Sequence, residues 1–202
     1  MSYGGSPVVP QQSLAELVTN PLYDSATIAN AATQALFFVG ANANNLALSN
    51  VPLNGQLANP KFARVGGLRL VLAQNIFTGT PSQNLVDITN ILFNGFVQMV
   101  IGGLKEYITA PAFFFPAGVG VLAQSDVGAA AVGNYSACNG QPIFGSSFRL
   151  RHIISLPPMQ QFGVRWAMGT GAVALTTTQR AWIVLDAELG RRLLHALEGE
   201  LV

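Results

Sequence analysis

A chain of 202 residues with 50% hydrophobic and only 9% charged side chains carries far less ionic surface than the roughly 25% usual in soluble domains. Ten basic and nine acidic residues give a formal net charge of +1, and mean hydropathy is +0.40, so repulsion between copies is weak and a lone monomer would be poorly protected against association. The single cysteine, Cys138, excludes an internal disulfide and any metal site built from two or four cysteines of one chain.

A membrane or a large assembly would each relieve so apolar a surface. The best spanning candidate, residues 108–125, is uncharged but is interrupted by Pro111, Pro116, Gly118 and Gly120, and proline inside a helix removes a donor and clashes with the preceding turn. Residues 97–104 are too few to span. The opening residues 1–12 have neither a basic n-region nor an apolar h-region, so no secretory signal is predicted. Assembly is the favoured reading.

In chain order, Gly4, Gly5, Pro7 and Pro10 predict an extended N-terminal arm. Ser13 with Glu16 three residues on is a capping-box pattern and predicts a short helix over 13–18, ending by Pro21. From Ser25 to Pro60 the chain has no charged residue and is punctuated by asparagine, Asn42, Asn44 and Asn45 among them. An uncharged loop of this length reads as a docking surface, with an ordinary ordered loop as the alternative. Ala35-Leu36-Phe37-Phe38-Val39 predicts the first strand, and Asn54-Gly55 a tight turn.

Over residues 63–77, Leu68, Leu70, Leu72 and Ile76 share one parity and are predicted to be buried, with Arg69 on the other side or at a subunit contact. Residues 86–101 predict a helix in the first half, capped by Asp87 and Thr89, and a strand in the second, with a break at Asn94-Gly95. Phe113-Phe114-Phe115 sits between two prolines. Side chains alternate along an extended chain, so the three rings cannot all face one core; at least one is predicted to meet a second surface, as a subunit contact ahead of a doubly buried core.

Residues 147–189 predict four short strands. The first is Phe148-Arg149-Leu150-Arg151-His152-Ile153, and the second puts Phe162, Val164, Trp166 and Met168 on one face. The third is the β-branched run 172–178, and the fourth runs from Arg180 to Leu185. The tail, residues 186–202, has Leu189, Leu193, Leu197 and Val202 near helical spacing and reads as a short amphipathic helix or an extended arm.

No pattern here carries catalysis. His152 and His195 are the only histidines and have no partner at ligand spacing; HExxH, GxSxG, Walker A and GxGxxG are absent. The expectation is a protein that is not an enzyme, with no cofactor, no metal and no small-molecule substrate. Arg149, Arg151 and Arg165 share a parity relative to their apolar neighbours. Such a face suits nucleic acid or anionic lipid, but net charge near zero argues against direct nucleic-acid contact. It suits a subunit contact better, because arginine is enriched and lysine depleted there and this chain has only two lysines.

Three late segments carry a resemblance. Leu156-Pro157-Pro158-Met159-Gln160-Gln161-Phe162-Gly163-Val164, then Val173-Ala174-Leu175-Thr176, then Trp182-Ile183-Val184-Leu185-Asp186-Ala187-Glu188-Leu189-Gly190-Arg191 resemble structural proteins of icosahedral bacteriophages. In particular they are similar to the single-jelly-roll capsid proteins of tailless phages with an internal membrane. The resemblance covers residues 147–191 and is one of strand and turn types. It implies an all-β, single jelly-roll sandwich with an N-terminal arm, long loops and short peripheral helices. The expected organisation is an arm and short helix over 1–24, the jelly-roll domain over 25–189, and a tail or helix over 190–202. The implied protein is made in the host cytoplasm and resides in the virion. Its partners are copies of itself and other capsid proteins, with the lipid of the internal membrane as an additional neighbour. Phe113, Phe114, Phe115, Asn42, Asn44, Asn45, Arg149, Arg151 and Arg165 are the candidate subunit interface. The alternative is a β-sandwich module of a phage fibre or cell surface that binds carbohydrate or a receptor, with Tyr107, Tyr135, Trp166 and Trp182 as stacking residues.

Overall fold

A computed structural model describes residues 15–42, 45–73, 81–103, 105–117, 122–125, 135–138 and 148–192. In chain order the elements are β1 (Ala15–Thr19), β2 (Leu22–Ile28), β3 (Gln34–Phe37), β4 (Lys61–Ala73), α1 (Pro81–Asn94), β5 (Gly95–Ile101) and β6 (Lys105–Pro111). A 3-10 turn over Ala112–Phe114 follows, then β7 (Leu122–Ser125), β8 (Tyr135–Cys138), β9 (Phe148–Leu156), β10 (Phe162–Met168) and β11 (Gln179–Arg192).

The strands form two antiparallel sheets. In the first, β11 and β4 lie side by side; β1 and β2 both pair with the far edge of β11, and β9 and β8 both pair with the far edge of β4, with β7 beyond β8. The second runs β3-β10-β5-β6. The pairings nest. β2 pairs with β11, β3 with β10, β4 with β9 and β5 with β6, so the returning half of the chain retraces the outgoing half. Successive nested pairs fall alternately in the first and second sheets. The all-β sandwich expected from the alternating sequence is present.

The core lies between the sheets. Leu22, Ile28, Leu68, Leu70, Leu72, Ile183 and Leu185 of the first sheet meet Phe37, Val97, Met99, Ile101, Phe162, Val164 and Trp166 of the second, all at 2% exposure or less. Each contributes about 1.5–3 kcal/mol of burial. The expected alternation of β10 is observed, with Met168 half-buried at its end. The helix-then-strand expectation for residues 86–101 is also met, with the change of element at Asn94/Gly95. Gly95 is required there: a Cβ on it would lie 2.1 Å from Trp166 Nε1 and 2.7 Å from the Ile91 carbonyl oxygen.

Five expectations are corrected. Residues 15–19 are a strand, not part of a helix, because β11 continues far enough to pair with them and Glu16 faces Arg191 across the pair instead of closing a capping box. On β4 the buried parity is even only beyond Gly67; before it Ala63 and Val65 are the buried residues. A bulge at Gly66 reverses the pleat, and such an extra residue is invisible to a period-two reading. Residues 172–178 are irregular despite their β-branched content, because their N–H groups go elsewhere: Val173 to the Ala32 carbonyl, Leu175 to the Asn30 side chain, and Thr176 and Thr177 to Asp87. Asp87 does not cap α1; it sits within the helix and turns its carboxylate toward that connection. Residues 186–192 extend β11 and do not begin a helix. The sheets reach from Ala15 to Arg192. The predicted arm up to residue 14 and the tail from 193 lie outside the described residues.

Candidate interaction surface

Pro111 closes β6 and the chain turns once in a 3-10 helix, which divides the three phenylalanines. Phe115 is fully buried, edge-on to Phe148 at 5.1 Å, and its carbonyl accepts from the Leu70 N–H at 3.0 Å. That anchor leaves Phe113 and Phe114 facing outward, 44% and 49% exposed. Their ring centroids are 4.9 Å apart, and Phe93, 62% exposed, stacks on Phe113 at 5.4 Å. Of the three consecutive rings, one is therefore given to the core and two are directed away from it.

Phe93 reaches the cluster from α1. Ile88, Ile91 and Leu92 form the buried stripe of that helix, and Val86 and Phe93, seven residues apart, fall on its other side. Two inward contacts fix the helix. The Asp87 carboxylate accepts from the backbone and hydroxyl of Thr176 (both 2.8 Å), from the backbone and hydroxyl of Thr177 (3.1 and 3.2 Å) and from Gln179 Nε2 (3.2 Å). Near its C-terminus, Trp166 Nε1 donates at 3.0 Å to the Ile91 carbonyl, one of the acceptors a helix end leaves open. In the sequence Phe93 is one apolar residue among several in its run and does not stand out. The signal that marks it is its place off the Ile88/Ile91/Leu92 stripe.

The arginines lie elsewhere. Arg149 and Arg151 are exposed on β9, and between the pairs Val65/Ile154 and Gly67/Arg149 the strand bulges outward, leaving Arg151, His152 and Ile153 exposed, Ile153 at 54%. Arg165 projects from the outer side of the second sheet, in a row with Leu36 and Gln98. Its guanidinium lies 6.0 Å from the Phe96 ring centre, and its Nε is buried with no hydrogen-bond partner among the described residues. The three arginines are therefore not one surface.

Few carboxylates are free to meet them. Asp186 pairs with Arg69, Glu188 with Arg64 at 3.6 Å, and Glu16 with Arg191 at 3.2 Å. Asp24 and Asp87 are buried and fully engaged. Among the described residues Glu106 is the one exposed carboxylate outside an ion pair.

The asparagines divide as well. Asn42 turns inward: its Nδ2 donates to Asp24 Oδ1 at 3.1 Å and to the Ser25 carbonyl at 2.6 Å, while Asp24 also accepts from the Phe38 N–H. Asn45 caps a local turn by accepting from the Ala47 N–H. Asn44 lies outside the described residues. Asn42 is thus a strut that holds a buried carboxylate, while Asn50 ties backbone to backbone, accepting from the Tyr23 N–H and donating to the Pro21 carbonyl.

Of the aromatic residues considered for stacking on a sugar, Trp166 has no exposed face, Trp182 is half-buried and Tyr107 is 42% exposed with Lys105 Nζ 4.9 Å from its ring centre. The side chain of Tyr135 lies outside the described residues. Among the described residues no three His, Cys, Asp or Glu side chains gather as metal ligands, and no helix is long and apolar enough to cross a membrane. No protein-family model matches this chain, and no curated protein matches it. The most distinctive surface is therefore the triad of exposed phenylalanines in which Phe113 contacts both Phe93 and Phe114.

Proposed function

We propose that this chain is a structural subunit of a virion: a jelly-roll protein that assembles with copies of itself, and with other shell proteins, into the capsomers of an icosahedral bacteriophage capsid. The jelly-roll reading is supported by the nested pairing, in which eight strands run as one long hairpin wrapped over two sheets. In this reading β1, α1, β7 and β8 are additions to that eight-stranded frame.

A jelly roll also serves lectins and cupins, so the frame alone does not choose a function. The observation that carries the shell reading is the surface. Phe93, Phe113 and Phe114 remain about half exposed on a chain with 9% charged residues, where a monomer has little to keep its copies apart. Aromatic residues concentrate in the buried centre of protein interfaces, and this triad has the composition of such a centre. Lipid beneath the shell is a further neighbour for such a surface.

Sedimentation velocity over a broad concentration series tests the reading. Growth of species larger than a dimer with concentration is the expected result. A single monomer boundary at every concentration would overturn it.

A further inference from the structure

We propose that the Phe93–Phe113–Phe114 cluster of one copy receives the β9 bulge of a second copy, with Arg149 and Arg151 against the ring faces and Ile153 between them. The inference rests on the self-assembly reading and names the contact that would join two subunits.

The argument begins with what each surface lacks. Arg149 and Arg151 are exposed and have no carboxylate within the described body of their own chain. Among its described residues a second copy offers them almost none, since the exposed acids there are spent on Arg64, Arg69 and Arg191, apart from Glu106. What a second copy does offer is electron-rich ring surface. Three phenyl rings at 62%, 44% and 49% exposure leave roughly 300 Å² open, given the area of a phenylalanine side chain. That is less than half of the roughly 800 Å² a stable contact removes from each partner, and it fits the central part of such a contact.

The chain already resolves the same shortage in this way. Lys105 lies over Tyr107 at 4.9 Å and Arg165 over Phe96 at 6.0 Å, so cations without carboxylates rest on rings. A guanidinium is planar and weakly hydrated and stacks on an aromatic face better than an ammonium does. The bulge also presents an aliphatic side chain, Ile153, at 54% exposure, which needs apolar cover that the rings supply. Because cluster and bulge are different surfaces, the contact is of the kind that propagates into rings or lattices as well as closing pairs.

The test uses the whole chain. A photoreactive benzoylphenylalanine replaces Phe114, and this light protein is mixed with an isotopically heavy, otherwise unmodified copy before irradiation. The expected product is a light–heavy cross-link whose heavy peptide contains Arg151 or Ile153. Arg151→Ala should weaken association by roughly 2- to 30-fold and lower the yield of that cross-link accordingly, while circular dichroism stays unchanged. Association with light–heavy cross-links that map to other segments would overturn this contact and leave the self-assembly reading standing. A chain that stays monomeric would overturn both.

Discussion

Thr176 and Asp87 lie 89 residues apart in the chain, yet the Thr176 hydroxyl donates to the Asp87 carboxylate at 2.8 Å. This bond belongs to a clasp that ties α1 to the connection between β10 and β11, and Asp87 is completely buried at its centre. Asp87→Ala strands the donors of Thr176, Thr177 and Gln179, so it should cost about 2–4 kcal/mol. Asp87→Asn should also destabilise, because it turns an NH2 group among donors. Urea denaturation with an unchanged m-value checks this; a loss below about 0.5 kcal/mol for Asp87→Ala would contradict the clasp.

Gly95 and Gly190 make a paired prediction. A Cβ on Gly95 meets the Trp166 indole and the Ile91 carbonyl, both fixed in the core, whereas one on Gly190 meets the Phe62 ring at 2.3 Å. Phe62 is half-buried at the edge of the sandwich and can swing away. Gly95→Ala should cost about 3 kcal/mol and alter the tryptophan fluorescence, and Gly190→Ala under about 1 kcal/mol. Thermal or urea unfolding ranks the two, and the reverse order would refute the packing described around Trp166.

The two ion pairs between β4 and β11 should differ in weight. Arg64 and Glu188 are 43% and 49% exposed at 3.6 Å, a geometry in which solvent screens nearly all the attraction. Arg69 and Asp186 are 24% and 31% exposed, and Arg69 Nε is already buried without a hydrogen-bond partner among the described residues. Glu188→Gln should leave stability within about 0.5 kcal/mol, and Asp186→Asn should cost about 1 kcal/mol, with the difference shrinking at high salt. Equal effects of the two changes in denaturation would show that burial does not distinguish them.

What could be read in advance follows from where the determinants lie. β10 was legible because Phe162, Val164 and Trp166 alternate against a single core, and the α1/β5 junction because Asn94-Gly95 breaks a period. The bulge at Gly66 was not, since one inserted residue changes parity without changing composition. Residues 172–178 look like a strand and are none, because Asp87 and Asn30, distant in sequence, take the N–H groups a neighbouring strand would need. Similarly, β1 exists only because β11 overruns the sandwich to meet it. On the surface, it was legible that Phe113, Phe114 and Phe115 could not all face one core, but not which would turn out. Strict alternation groups Phe113 with Phe115, whereas the 3-10 turn groups Phe113 with Phe114, and the stacking of Phe93 on Phe113 is a tertiary fact joining a helix to a turn.

If the exposed rings hold subunits together, replacing them should release soluble protein without harming the fold. Phe93→Ser with Phe114→Ser removes exposed surface at two partly solvated sites, so the unfolding midpoint should move little, within about 1 kcal/mol, while the weight-average mass in light scattering falls. An unchanged mass distribution in the double variant would remove this cluster from the interface.

Electron microscopy of the purified 202-residue chain tests the central claim most directly. The account predicts closed rings, sheets or shells built from a repeating subunit. A field of separate particles the size of one sandwich, at concentrations where light scattering also reads a monomer, would contradict it.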